Sequence, residues 1–119
     1  MPEPTRLQAV ALHDMLEALF GARTMFRENP ENVSMGLTAL RVLSSNPMRV
    51  GFVAYNLSGN GVYLAPSNLV SSSRGIYLAP NGGGVSLVWD RDFELCSAEW
   101  WGIATAAAST IYVLELINS

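Results

Sequence analysis

Residues 62–84, VYLAPSNLVSSSRGIYLAPNGGG, say nearly the same thing twice: Tyr63-Leu64-Ala65-Pro66 returns fourteen residues later as Tyr77-Leu78-Ala79-Pro80. On an extended chain, adjacent Tyr and Leu fall on opposite faces. Proline lacks the N–H that would continue a ladder, so Pro66 and Pro80 read as two strand exits. Between them Ser71-Ser72-Ser73-Arg74-Gly75 crosses from one strand to the next, with hydroxyls able to bond the turning backbone locally. A single doubled phrase is too short for a repeat architecture, which needs three or more units.

The same reading extends outward on both sides. Strand-like runs fall at residues 38–43, 49–56, 61–65, 75–79, 85–89, 100–105 and 110–117. Ser45-Asn46-Pro47, Ser58-Gly59-Asn60, Asn81-Gly82-Gly83-Gly84 and Ala106-Ala107-Ala108 punctuate them. Nothing between the runs is long enough for a crossover helix, so the pairing should be mainly antiparallel. These features predict a mainly β domain over residues 37–119, an antiparallel β-sandwich or jelly-roll-like barrel of about seven strands. Gly82-Gly83-Gly84 lies between two strands rather than before a helix, so it predicts a hairpin turn and not a phosphate loop.

Residues 1–36 read differently. Thr5 followed by Gln8 fits a capping box, and Leu12, Met15, Leu16 and Leu19 then recur at helical spacing. Arg6, His13, Asp14 and Glu17 lie toward the other face, and Gly21 is placed to end the helix. About fifteen residues give a rod of roughly 22 Å. From residue 22 to 36 the period is lost, and Asn29-Pro30-Glu31-Asn32 is turn chemistry. That stretch predicts an extended arm reaching outward, with Met25, Phe26, Val33 and Met35 seeking a surface to lie on.

Composition narrows the function. Half of the 119 residues are hydrophobic and only 14% are charged, enough to bury a core but sparse for a free surface. Another chain is therefore expected to cover part of it. The seven basic residues are all arginine, and residues 32–89 hold just Arg41, Arg49 and Arg74, too few for a phosphate-tracking surface. Nucleic acid is not an expected partner. No apolar run approaches the roughly 18 residues that cross a bilayer, and the amino terminus lacks a secretory basic region. A soluble product of the cytoplasm, without a membrane partner, is the expectation.

No catalytic group stands out. Cys96 is the only cysteine, which excludes an internal disulfide and a thiolate cluster, and a small buried apolar role suits it best. His13 is the only histidine and lies on the polar face of the predicted helix. No elbow or oxyanion glycine accompanies either one as a nucleophile–base arrangement would need. Asp90, Asp92 and Glu94 alternate, and on a strand their carboxylates would share a face, an arrangement that suits a hard cation. A charged strand edge or turn is the commoner meaning, and no metal or other cofactor is expected. In Glu99-Trp100-Trp101-Gly102 the two indoles must face opposite ways, one into the core and one out.

The segment from Val70-Ser71-Ser72-Ser73-Arg74-Gly75-Ile76 through Leu78-Ala79-Pro80, Gly82-Gly83, Val85-Ser86-Leu87-Val88-Trp89 and Asp92-Phe93 to Glu99-Trp100-Trp101-Gly102-Ile103-Ala104 resembles a group of small tailed-bacteriophage virion proteins. Their endings carry a similar serine crossing, glycine turn, acidic turn and Trp-Trp strand. The resemblance covers about the last seventy residues. It implies a non-enzymatic structural role, as a capsid decoration, cement, head-fibre or tail-associated subunit. Such a subunit would bind other virion proteins, form a homo-oligomer such as a trimer, and reside in the virion after synthesis in the host cytoplasm. Leu12, Met15, Leu16, Leu19, Phe26 and Trp101 are then the expected interface residues. The alternative is a carbohydrate-binding module for a host surface glycan, using Trp100 or Trp101 with the polar loops at Ser58 to Asn60 or Ser71 to Arg74.

Overall fold

The computed structural model describes residues 24–118. The predicted helix, with Leu12, Met15, Leu16, Leu19 and His13, lies outside the described residues. Within them the chain is mainly β, in two packed antiparallel sheets. The strands are β1 (Thr24–Glu28), β2 (Ser34–Met35), β3 (Leu40–Leu43), β4 (Arg49–Asn56), β5 (Val62–Ala65), β6 (Ile76–Leu78), β7 (Gly84–Val88), β8 (Trp100–Ala104) and β9 (Ser109–Asn118). A helical turn, α1 (Trp89–Asp92), and a 3₁₀ turn (Phe93–Cys96) separate β7 from β8.

The doubled Tyr-Leu-Ala-Pro phrase sits at the centre of the topology. Its two halves are β5 and β6, which pair with Tyr63 opposite Tyr77. Leu64 and Leu78 point inward and are fully buried, while Tyr77 faces out. Around this hairpin the other pairs nest: β4 with β7, β3 with β8, and β2 with β9. Folding that long hairpin over itself yields one sheet ordered β1-β9-β4-β7, with β2 on β9, and another ordered β3-β8-β5-β6. This is the connectivity of a jelly roll, two Greek keys closed into a sandwich.

Nesting corrects the reading of the glycine run. Residues 79–83 carry the chain from β6 in one sheet to β7 in the other, so they form a crossing and not a hairpin. Asn81 and Gly82 take φ values of 60° and 116°, and Gly83 donates to the Ala79 carbonyl at 3.0 Å. A Cβ on Gly83 would collide with the Ala79 backbone, which is why glycine stands at this tight passage.

The arm expected over residues 22–36 does not reach outward where it is described. Residues 24–28 pair with residues 114–118, and Ser34 and Met35 pair with Thr110 and Ser109. Together β1 and β2 make one broken edge strand. At the break Asn29, with φ 46°, donates to the Val113 carbonyl at 2.7 Å and accepts from the Val113 N–H at 2.9 Å. Its neighbour Pro30 cannot donate, so the strand interrupts there and resumes after a five-residue excursion. Glu31 reaches Arg41 at 3.1 Å, and the Asn32 amide donates to the Arg41 carbonyl at 3.0 Å. These contacts fasten the edge of one sheet to β3 of the other.

Met35 is the deepest consequence. Expected in the arm, it is fully buried between the sheets. It lies over Gly102 of β8, where an added Cβ would meet its sulfur at 2.6 Å. The core around it includes Val42, Leu64, Val113, Phe52 and Trp100, the last two rings 5.3 Å apart and tilted by 60°. Asn56 closes one end of the sandwich. Its amide donates to the carbonyls of Leu78 and Asn60, and its oxygen accepts from Ser58.

Met35→Ala is expected to lower unfolding stability by about 2–5 kcal/mol in urea titrations, the range for emptying a core site. Gly102→Ala should cost about 1–3 kcal/mol by overpacking, and the double variant should cost less than the sum. Strict additivity would contradict the contact.

Candidate interaction surfaces

The end of the sandwich opposite Asn56 is organised by a buried charge. Glu115 on β9 points inward and is completely buried, as is Arg49 at the start of β4. Arg49 Nε donates to Glu115 Oε2 at 2.8 Å, and Arg27 of β1, itself half exposed, donates to Oε1 at 2.7 Å. The guanidinium of Arg49 then spends its remaining donors on backbone. It reaches the Ala98 carbonyl at 3.0 Å and the Ser44 carbonyl at 2.6 Å. One side chain therefore ties the loop after β3 and the loop before β8 to β9.

On that anchor stand α1 and the 3₁₀ turn, where sequence reasoning expected a strand end and an acidic strand or turn. The local reason is a capping arrangement. Asp92 accepts from the Val88 N–H at 2.9 Å and from Arg91 at 3.1 Å, which curls the chain. Asp90, Asp92 and Glu94 consequently do not line one face, and among the described residues no group of three or more His, Cys, Asp or Glu is placed to hold a metal. Curling instead brings together Trp89 and Phe93, four residues apart. Their rings lie edge to face at 6.2 Å and 81°. Both are more than half exposed, with Leu95 and Met48 also exposed at this end of the sandwich. An open hollow beside them is lined by Ser45, Pro47, Asp92 and Glu94.

Phe93 sits in backbone that suits glycine, with φ 53° and ψ −132°. A bulky residue held there costs on the order of 1–3 kcal/mol and persists only when its surroundings impose it. Behind it the Trp100 indole donates to the Leu95 carbonyl at 2.9 Å, pinning the turn to the core. Cys96 completes that underside. It is fully buried, as its expected role required, and burial pushes its thiol up, with nearby Arg49 opposing. A neutral thiol in such a site is a packing group rather than a nucleophile.

The two outer sheet faces hold the remaining candidates. On the first sheet, Phe26, Leu116, Gly51 and Val88 form one row across all four strands, and Glu28, Leu114, Val53 and Ser86 form the next, polar at both edges. Tyr112 and Tyr55 follow, and partial burial, then the adjacent Glu28 carboxylate, push the Tyr112 hydroxyl up. On the second sheet, Tyr63 and Tyr77 stack at 5.2 Å beside Ile103, and Trp101 lies between Arg41 and Ala65. Trp100 is buried and Trp101 half-buried on the outside, as their alternation required. The Trp101 Nε1 has no hydrogen-bond partner. Phe26 and Trp101, both expected at an interface, therefore occupy opposite faces and form no common site. Trp89, Phe93 and Leu95 were not anticipated; the four-residue spacing of Trp89 and Phe93 was the available signal. Comparison of the chain with protein families, curated proteins and solved structures finds no match.

Removing one partner of a buried ion pair strands the other. Arg49→Met or Glu115→Leu alone should each cost about 3–5 kcal/mol, and the double variant less than either single. A chemical-denaturation cycle measures this, and independent costs would refute the pairing. At Phe93, glycine should be more stable than alanine by about 1–2 kcal/mol, because only glycine relaxes there. Equal stability would show that the turn is unstrained.

Proposed function

We propose that this chain is a non-enzymatic structural subunit of a tailed-bacteriophage virion, a capsid decoration, cement, head-fibre or tail-associated protein. It is made in the host cytoplasm, carried in the particle, and assembled as a homo-oligomer such as a trimer against other virion proteins. The observation that carries this reading is the Trp89–Phe93 pair, two rings held in solvent on a strained turn that Arg49 anchors from below. Aromatic anchors on a rigid base are the residues that dominate protein contacts. The sequence resemblance from Val70 to Ala104 supports it, and so does the jelly-roll connectivity, which recurs in viral capsid and lectin domains. The latter is a fold-level analogy and adds weight without assigning a role.

A second reading has one specific observation in its favour. The same rings border an open, shallow hollow with Glu94, a stacking face beside a carboxylate, which is the kind of surface a sugar ring uses. Of the two indoles the carbohydrate alternative named, Trp100 is buried and Trp101 remains half-buried on the outer face; Trp89 and Phe93 add a second aromatic surface to that reading.

In particles assembled with a tagged chain and banded by density, the wild type should co-band. Trp89→Ser/Phe93→Ser, still folded by circular dichroism, should be depleted at least about tenfold, the loss expected for removing an interface anchor. Absence of the wild type from the band would end the proposal. A glycan-array signal lost in the same variant would favour the sugar reading instead.

A further inference from the structure

One border of the first sheet is interrupted at Asn29 and Pro30; the other is β7, whose register with β4 runs unbroken. Gly84-Val85-Ser86-Leu87-Val88 carries neither charge nor proline, the usual guards of a border strand. The Asn56 N–H and C=O bond Gly83 and Gly82 on this side, so alternation directs the Ala54 and Phe52 groups of β4 to Val85 and Leu87. Gly84, Ser86 and Val88 therefore turn their backbone groups away from β4, toward the border.

Two of those outward groups are taken by the turn that follows the strand. Arg91 Nη2 donates to the Ser86 carbonyl at 2.6 Å, and Asp92 Oδ2 accepts from the Val88 N–H at 2.9 Å. Arg91 Nε donates to the same Asp92 oxygen at 3.1 Å, so the donor for Ser86 and the acceptor for Val88 arrive as one ion pair. A neighbouring strand would supply the same two partners from its backbone. We propose that Arg91 and Asp92 gate an edge for a second copy of this chain, holding the Ser86 and Val88 groups with which the copy's own β7 would pair.

The strand is complementary to itself about Ser86. Laid antiparallel with Ser86 opposite Ser86, each Val88 falls opposite the other copy's Gly84, and each Leu87 opposite the other copy's Val85. The two Ser86 residues would exchange both of their bonds, and each Val88 N–H would meet a Gly84 carbonyl. Pairing and the side-chain cap thus compete for the same atoms. Val88 would face a residue without a side chain, and Leu87 and Val85, both packed on the core, would continue one inward row across the junction. This inference concerns the sheet border and does not depend on the proposed function.

The test compares Arg91→Ala/Asp92→Ala with the unsubstituted full chain by sedimentation equilibrium from micromolar to millimolar concentration. The mass of the variant should rise with concentration beyond that of the unsubstituted chain. Adding Ser86→Pro should remove the rise, because proline there deletes an outward donor and leaves the β4 ladder whole. A folded double variant with the mass of the unsubstituted chain throughout, or a rise that survives Ser86→Pro, would overturn the proposal. Should these variants misfold, amide exchange of the unsubstituted chain decides. After correction for intrinsic rates, the Val88 amide should be protected at least about tenfold more than the outward Ser86 amide, as a bond to a carboxylate requires. Equal protection of the two would overturn the gate.

Discussion

A carboxylate placed inside a small apolar sandwich is costly unless its charge is answered at once. Glu115 is answered from two sides, by Arg49 within the core and by Arg27 at the rim. The arrangement joins β1, β4 and β9 at the same point. Because Arg49 also binds the Ser44 and Ala98 carbonyls, the loops at that end take their positions from the ion pair rather than from packing alone. Without it the aromatic turn would rest on a hole in the core. Such a pair contributes little net stability compared with a well-packed apolar substitute; what it adds here is the pair of contacts from Arg49 to the Ser44 and Ala98 carbonyls.

Connectivity is the second constraint. With β5 and β6 as the innermost hairpin, the remaining pairs nest outward around it, and successive pairs fall into alternate sheets. The two ends of the sandwich then become chemically different. One is sealed by neutral amide and hydroxyl groups around Asn56, the other by charges around Glu115. The long turn between β7 and β8 belongs to the charged end and carries the exposed Trp89 and Phe93, while Tyr55 and Tyr77 are the exposed rings toward the Asn56 end.

Much of this fold was legible because its signals are local. Each of the seven expected strands is present to within two residues, since proline, glycine and serine punctuation marks strand ends wherever the partner lies. Pro66 and Pro80 are cases in point. What could not be read was set by distant partners. β1 and β2 are five and two residues long, interrupted by Asn29 and Pro30, and owe their conformation to β9, about ninety positions from β1 and about seventy-five from β2. The glycine run looked like a hairpin because its flanks are strands; only nesting places those flanks in different sheets. The candidate site was less visible still. Phe93 occupies backbone that its residue type disfavours, and alternation of the acids suggested extension where Asp92 instead caps a turn.

The interrupted edge has a consequence for crowding. A long uninterrupted border strand would offer a continuous row of amides and carbonyls on which an identical molecule could add, and then another. Here the kink at Asn29 and Pro30 splits that row into two short pieces out of step with each other, and Glu31 and Asn32 cross to the opposite layer over the gap. Sideways growth into ribbons is blocked on this flank, so molecules packed at high density can meet through side chains without their backbones fusing into fibres.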